Sequence, residues 1–256
     1  MIANYHSHTY RCRHASGNEE DYVNHAIKGG LQILGFSDHT PYPFPGDYYS
    51  TFRMYPHQLA DYCDTVTDLK KRYVNQLEIH LGLEVEYYPA YFDDLMACLR
   101  DTPVEYMLLG QHFVGNEIGE HYGGWFTDQK ELLVRYVDQV CDAMQTGLFT
   151  YLAHPDLLNI QVDDQFYKAE MRRLCREAKA CNVPLEINLL GMSLGKNYPD
   201  LRFWETAAEE NCIAILGCDA HQEEAVCRPK EERQALEMAD RLGLQLLQTV
   251  ELRPIR

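Results

Sequence analysis

The chain has 256 residues, 46% hydrophobic and 24% charged, the make-up of a globular enzyme-sized unit with a substantial core. Its 23 basic and 39 acidic residues give a formal net charge of −16. A surface that acidic repels a phosphate backbone at long range, which argues against nucleic acid as the main partner. No apolar run approaches the ~18 residues of a membrane span, and Met1–His6 holds no basic region followed by an apolar one, so a cytoplasmic location without a membrane partner is expected.

In chain order, short apolar runs bounded by Gly, Pro or polar residues predict strands over Ile2–Tyr5, Ile33–Phe36, Ile79–Val85, Met107–Leu109, Tyr151–Ala153, Leu185–Ile187 and Ile213–Leu216. Longer stretches between them predict helices over Glu19–Lys28, His57–Tyr73, Ala90–Leu99, Lys130–Met144, Gln165–Ala180, Leu201–Glu210 and Glu231–Leu242. Ser16 and Glu19 have the spacing of a capping box. Leu59, Tyr62, Val66 and Leu69 share one face of the second helix, and Gly147 and Gly243 stand where helices should stop. Seven alternating strand–helix units over residues 1–256, read as one domain, require a mostly parallel sheet, either open and doubly wound or closed into a barrel. The nine cysteines are scattered with no CxxC pair, so buried reduced thiols are expected rather than a disulfide framework or a thiolate zinc site.

The residues at the end of each predicted strand decide between the two sheets. The first strand leads into His6 and His8, the second into Asp38 and His39. Glu84 lies at the end of the third. His112, His154 and Asn188 come after the fourth, fifth and sixth, and Asp219 with His221 after the seventh. His14 lies in the first loop within reach of the same end. A ring of strand ends collects these side chains at one mouth, whereas an open sheet would spread them along a line. Residues i and i+2 of a strand share a face, so His6 with His8, and Asp219 with His221, can each serve one ion. Imidazole with carboxylate suits Zn, Mn or Fe rather than calcium. So many donors exceed the capacity of one ion and imply two or three, with Glu84 able to bridge. Paired metals activate water and clamp phosphate. His25, His57 and His80 are read as surface or supporting groups, and His121, in the Gly-rich loop 115–124, as a residue that could meet substrate.

The motifs His6-Ser7-His8-Thr9, Gly35-Phe36-Ser37-Asp38-His39-Thr40-Pro41, Gly82-Leu83-Glu84-Val85-Glu86-Tyr87, Gly110-Gln111-His112-Phe113, Ala153-His154-Pro155-Asp156, Glu186-Ile187-Asn188 and Gly217-Cys218-Asp219-Ala220-His221, in this order, resemble the polymerase and histidinol phosphatase (PHP) family. Within it, Cys12-Arg13-His14-Ala15 and Phe52-Arg53-Met54 are similar to the histidinol phosphatase branch. The resemblance implies a distorted (β/α)7 TIM-like barrel with a trinuclear centre. It implies one metal on His6, His8, Glu84 and Asp219, a second on Glu84, His112 and His154, and a third on His14, His39 and His221. It further implies hydrolysis of a small-molecule phosphate ester, L-histidinol phosphate first among them, with Asp219 or His221 protonating the leaving alkoxide.

Two departures stand out. Gln111 occupies a position where the branch has Ser or a small residue. The turn after Asn188, Leu189–Lys196, is longer than the branch's and has no arginine, so Lys196 or Arg53 is expected to take the phosphate and Glu117 to meet the substrate's ammonium group. Alternative readings are a PHP phosphoesterase acting on nucleotides, oligonucleotides or phosphotyrosine, and a non-catalytic metal-binding scaffold. The oligomeric state stays open.

Overall fold

The computed structural model describes residues 1–255, and their main sheet is parallel throughout. In chain order its strands are β1 (Ala3–Asn4), β2 (Ile33–His39), β3 (Glu78–Val85), β4 (Tyr106–Leu109), β7 (Phe149–Leu152), β8 (Leu185–Asn188), β9 (Ile213–Gly217) and β10 (Gln245–Leu247), hydrogen-bonded in that same order. Between β4 and β7 the chain forms a separate pair, β5 (Phe113–Val114) and β6 (His121–Tyr122). The helices are α1 (Glu19–Gly29), α2 (Leu59–Tyr73), α3 (Phe92–Leu99), α4 (Lys130–Gln145), α5 (Asp164–Ala180), α6 (Leu189–Leu194), α7 (Leu201–Glu209) and α8 (Pro229–Leu242).

The sheet curls into a distorted TIM-like barrel, as the strand-end pattern requires. At the C-terminal end, the segment after β1 meets the segment after β9: Ser7 bridges Ala220, the His8 amide donates to the Ala220 carbonyl at 2.8 Å, and the Ala220 amide to the His6 carbonyl at 3.1 Å. This seam joins the first and seventh strands of the expected ring. The distortion lies at the opposite end, where the unexpected β10 pairs with β9, Gln245 beside Ile213. The Gln-Leu-Leu of β10 is short and only partly buried, so it carries no periodic signal.

Two apolar layers hold the barrel. Inside it, Ala3, Tyr5, Tyr106, Leu108, Tyr151, Ala153 and Ile215 pack together, with Val250 and Leu252 against them. Tyr106 offers its hydroxyl to the Tyr5 carbonyl at 2.7 Å, so the polar tip of this buried ring is satisfied. Outside, the helices lay their apolar faces on the sheet. In α2 these are Tyr62, Val66 and Leu69, and in α4 Leu133, Tyr136, Val137 and Val140. Among the described residues no helix is long and apolar enough to cross a membrane.

The remaining differences from the sequence reading are local. The capping box of α1 is formed by Asn18 and Asp21, not Ser16 and Glu19. Gly17 turns with φ +77°, and Asn18 is the residue left extended with its amide oxygen on the Asp21 amide. Strand β2 runs on through Asp38 and His39. The Gly-rich loop folds into the small antiparallel hairpin of β5 and β6. The turn after Asn188 is the short helix α6, capped by the Asn188 side chain on the Gly191 amide at 2.9 Å. All nine cysteines are free thiols.

Candidate metal centre

His6, His8, His14, His39, Glu84, His112, His154, Asp219 and His221 converge at the C-terminal mouth. Glu84, at the end of β3, is the hub. Its Oε1 lies 2.8 Å from His154 Nε2, 3.5 Å from His6 Nε2 and 3.7 Å from His112 Nε2, and its Oε2 lies 3.1 Å from His39 Nδ1 and 3.5 Å from His8 Nε2. Asp219 Oδ1 lies 3.1 Å from His8 Nε2 and 3.6 Å from His6 Nε2. The rings of His14, His39 and His221 gather on the side of His8, with His14 and His221 centroids 4.5 Å apart. His154 and Asp219 adopt φ of +30° and +48°, conformations that cost non-glycine residues energy and that collect at functional sites.

Cations fit this arrangement because too many buried donors lack a partner. His6 Nε2, both nitrogens of His8, His39 Nδ1, His154 Nδ1, His221 Nε2 and Glu84 Oε2 are buried without a hydrogen bond among the described residues. The short His39–Glu84 and His8–Asp219 separations lack hydrogen-bond geometry. Each unsatisfied buried polar group costs about 1–3 kcal/mol, and native interiors tolerate few. The donor atoms fall into close groups that suit an ion: His6, His8 and Asp219; His6, Glu84 and His154; His8, His39 and Glu84; His14, His39 and His221.

Electrostatics separates the imidazoles into two sets. Burial opposes charge on His6 and His8, yet Glu186, Asp219 and Glu84 hold His6 well above its usual range, and Asp219, Asp38 and Glu84 raise His8 to about 9. Burial pushes His39, His14 and His221 down, reinforced by His8, and takes His221 to about 3. Glu84, which burial alone would raise, is held well below the carboxylate range by His112, His39, His6 and His154. The lowered set is already neutral beside ionised carboxylates, as a divalent ion needs its ligands, whereas His6 and His8 would give up their protons on taking one. Cys12 lies close to His8 and His221, and burial pushes its thiol up.

An outer layer that the sequence reading missed orients these side chains. Glu186 of β8 accepts from His6 Nδ1 at 2.7 Å, from the His154 amide at 3.1 Å and from Asn188 Nδ2 at 3.0 Å. Asn188 also donates to Asp219 Oδ2 at 3.1 Å, so it supports ligands rather than joining them. Glu86, two residues after Glu84, takes His112 Nδ1 at 2.9 Å. A charged residue inside the buried strand Leu-Glu-Ile-Asn was the available signal for Glu186. Gln111 has a structural reason: it accepts from the Tyr87 amide at 2.9 Å and donates to the Phe113 carbonyl at 2.7 Å.

The expectations for Arg53 and Glu117 need correction. Arg53 is fully buried, and its guanidinium is taken up by Glu86 at 2.9 and 3.1 Å, by Glu117 at 2.5 Å and by the Thr40 carbonyl at 3.1 Å. Glu117 also accepts from Tyr88 at 2.8 Å and Tyr48 at 3.0 Å. Neither side chain is free to meet substrate. Lys196 lines the cleft, and so does Arg228, which the sequence reading missed. The cleft has a volume of about 670 Å³. Phe52, Phe113, Tyr122 and Trp125 form its aromatic wall in successive ring contacts of 6.0, 5.4 and 5.9 Å. From the Gly-rich loop it is Tyr122, not His121, that lines the cleft, together with Trp125 just beyond the loop.

A histidine–carboxylate cluster at the C-terminal mouth of a β/α barrel defines a metal-dependent hydrolase. The PHP domain model matches residues 4–189, and the chain belongs to the PHP domain family. It is 26% identical over 235 residues to a probable histidinol-phosphatase of Deinococcus radiodurans, covering 85% of each chain. It is 33% identical over 116 residues to a histidinol-phosphatase of Bacillus subtilis, 43% of each. The fold matches a histidinol phosphate phosphatase of Lactococcus lactis, solved with zinc, L-histidinol and phosphate, at TM-score 0.74 and 17% identity, covering 100% of this chain and 98% of that one. A putative histidinol phosphatase of Listeria monocytogenes matches at TM-score 0.75 and 19% identity, over 90% and 99%.

Proposed function

We propose that this chain is a metal-dependent phosphomonoester hydrolase that converts L-histidinol phosphate and water to L-histidinol and phosphate. The observation that carries the reading is the nine-residue cluster, six of whose members hold buried donors without a partner among the described residues, opening onto a cleft with two cationic side chains and an aromatic wall. The named relatives from Deinococcus and Bacillus support the choice of ester.

His6, His8, His14, His39, Glu84, His112, His154, Asp219 and His221 would hold two to three divalent ions of Zn, Mn or Fe, which supply Lewis-acid charge to the phosphoryl group and an activated water. A phosphorus–oxygen bond forms to water and the ester bond breaks, so the departing alkoxide oxygen needs a proton. The attacking water gives up a proton as the new bond forms, and Asp219 or His221, both lining the cleft, would pass it on to the departing oxygen. Glu186 and Glu86 keep His6 and His112 in orientation. Lys196 contributes positive charge at the mouth. The carboxylates lining the cleft, Glu84 and Asp219, belong to the cluster, so the ammonium and imidazole of the substrate meet aromatic faces. A cation over such a face gains roughly 0.5–2 kcal/mol.

The aromatic wall also favours a second reading, an aryl phosphate such as phosphotyrosine. A panel on metal-replete enzyme separates the two by kcat/KM for histidinol phosphate, nucleotides, sugar phosphates, phosphotyrosine and p-nitrophenyl phosphate. Histidinol phosphate should exceed simple alkyl esters by at least ~10²-fold. Equal rates on histidinol phosphate and p-nitrophenyl phosphate would reduce the reading to a generic phosphoesterase.

A further inference from the structure

Arg228 is a cation fixed beside the cluster. Among the described residues it forms no ion pair, although the chain carries 39 acidic groups and arginines such as Arg53, Arg72, Arg172 and Arg202 are bound to carboxylates. Its backbone is held by helix α8, which it precedes: Pro229 opens the helix, and the Glu232 amide donates to the Arg228 carbonyl at 2.8 Å. Its side chain is held too, since Nε donates to the carbonyl of Cys218, the residue before Asp219, at 3.3 Å. This tether leaves the two terminal nitrogens, which have no hydrogen-bond partner among the described residues, at the end of β9 in the wall that also contains Asp219, His221 and His14. Lys196, the other unpaired cation of the cleft, follows Gly195 at the end of α6 and is exposed.

We propose that Arg228 binds the phosphoryl oxygens of the substrate, its guanidinium fork taking two of them, while Lys196 acts only as a diffuse charge at the mouth. This rests on the phosphoester reading of the site. A guanidinium held by its own Nε offers a planar pair of N–H donors with little left to order, which suits a tetrahedral dianion. An exposed ammonium on a four-carbon stem gives attraction without geometry.

The test compares metal-replete wild type with Arg228→Gln, Arg228→Lys and Lys196→Gln. The probes are inorganic phosphate, by calorimetric binding, and three phosphate esters of different leaving group. Arg228→Gln should weaken phosphate binding at least ~10-fold and raise KM for all three esters by a similar factor, with Arg228→Lys recovering part of the loss. Lys196→Gln should change phosphate binding by no more than about threefold, the change vanishing at high salt. Metal content and Tm of the Arg228 variants should match wild type. Phosphate binding by Arg228→Gln within about twofold of wild type would overturn the assignment. So would loss of bound metal in that variant, which would make the Cys218 tether merely structural. Wild type that binds phosphate through Arg228 without preferring histidinol phosphate would sink the substrate reading alone.

Discussion

Gly110 borders the carboxylate of Glu84 so closely that a methyl group there would overlap it. The two residues sit at the ends of neighbouring strands, where Val85 pairs with Leu109. The missing side chain is therefore what lets the hub carboxylate stand between five imidazoles. Gly110→Ala should displace Glu84 and reduce bound metal, lowering kcat at least ~10-fold with little change in fold. Glu84→Gln, which keeps the shape and removes the charge, should lower kcat by at least ~10². Elemental analysis of wild type should give two to three equivalents of Zn, Mn or Fe, and fewer in both variants. Full activity with one equivalent would contradict the shared-carboxylate arrangement.

Glu186 holds His6 Nδ1, the His154 amide and Asn188 at once, and Gly217 leaves the space its carboxylate occupies. Changing such an outer partner costs about 10–100-fold in metal affinity in comparable sites. Glu186→Gln should therefore weaken metal binding in that range, measured by competition with a chelator. Its activity should return at excess metal. If affinity is unchanged, Glu186 does not position the ligands.

The donors were legible because they are local to strand ends: His6 with His8 and Asp219 with His221 are two apart, and each lies where a strand stops. Glu186, Glu86 and Arg228 were not, because their roles depend on contacts across the barrel. Glu186 meets His6 from 180 residues away. Arg53 was misread for the same reason. A cation in a loop after β2 looks free in sequence, and only folding brings Glu86 and Glu117 onto it.

That buried triad yields its own prediction. Arg53, Glu86 and Glu117 are each at most 2% exposed, and Glu86 also orients His112. Removing one member of a buried ion network leaves uncompensated charge and costs about 3–5 kcal/mol. Arg53→Met should lower stability by that order in urea unfolding and loosen metal binding through His112. Inorganic phosphate should bind the metal-replete variant as it binds wild type. A general rise of KM at unchanged stability would instead return Arg53 to the substrate.

Glu105 sets a pH dependence away from the cluster. It joins α2 to the barrel, pairing with Lys70 and accepting from the Leu81 amide at 2.8 Å, with His80 Nδ1 3.6 Å away. Burial works against its charge, but His80, Lys70 and the Leu81 amide outweigh it and hold the carboxyl at about 2 against a usual 4.5. A carboxyl lowered by folding adds stability above its unfolded value and loses it as pH falls through the folded one. The Tm gap between wild type and Glu105→Gln should be fully open at neutral pH and narrow progressively as pH drops below 4.5. The group is about a third exposed, so solvent screening keeps the gap modest and salt should shrink it. A gap of constant size between pH 7 and pH 3, measured by thermal unfolding at matched ionic strength, would show that the carboxylate charge contributes nothing and that only its hydrogen bond to Leu81 matters.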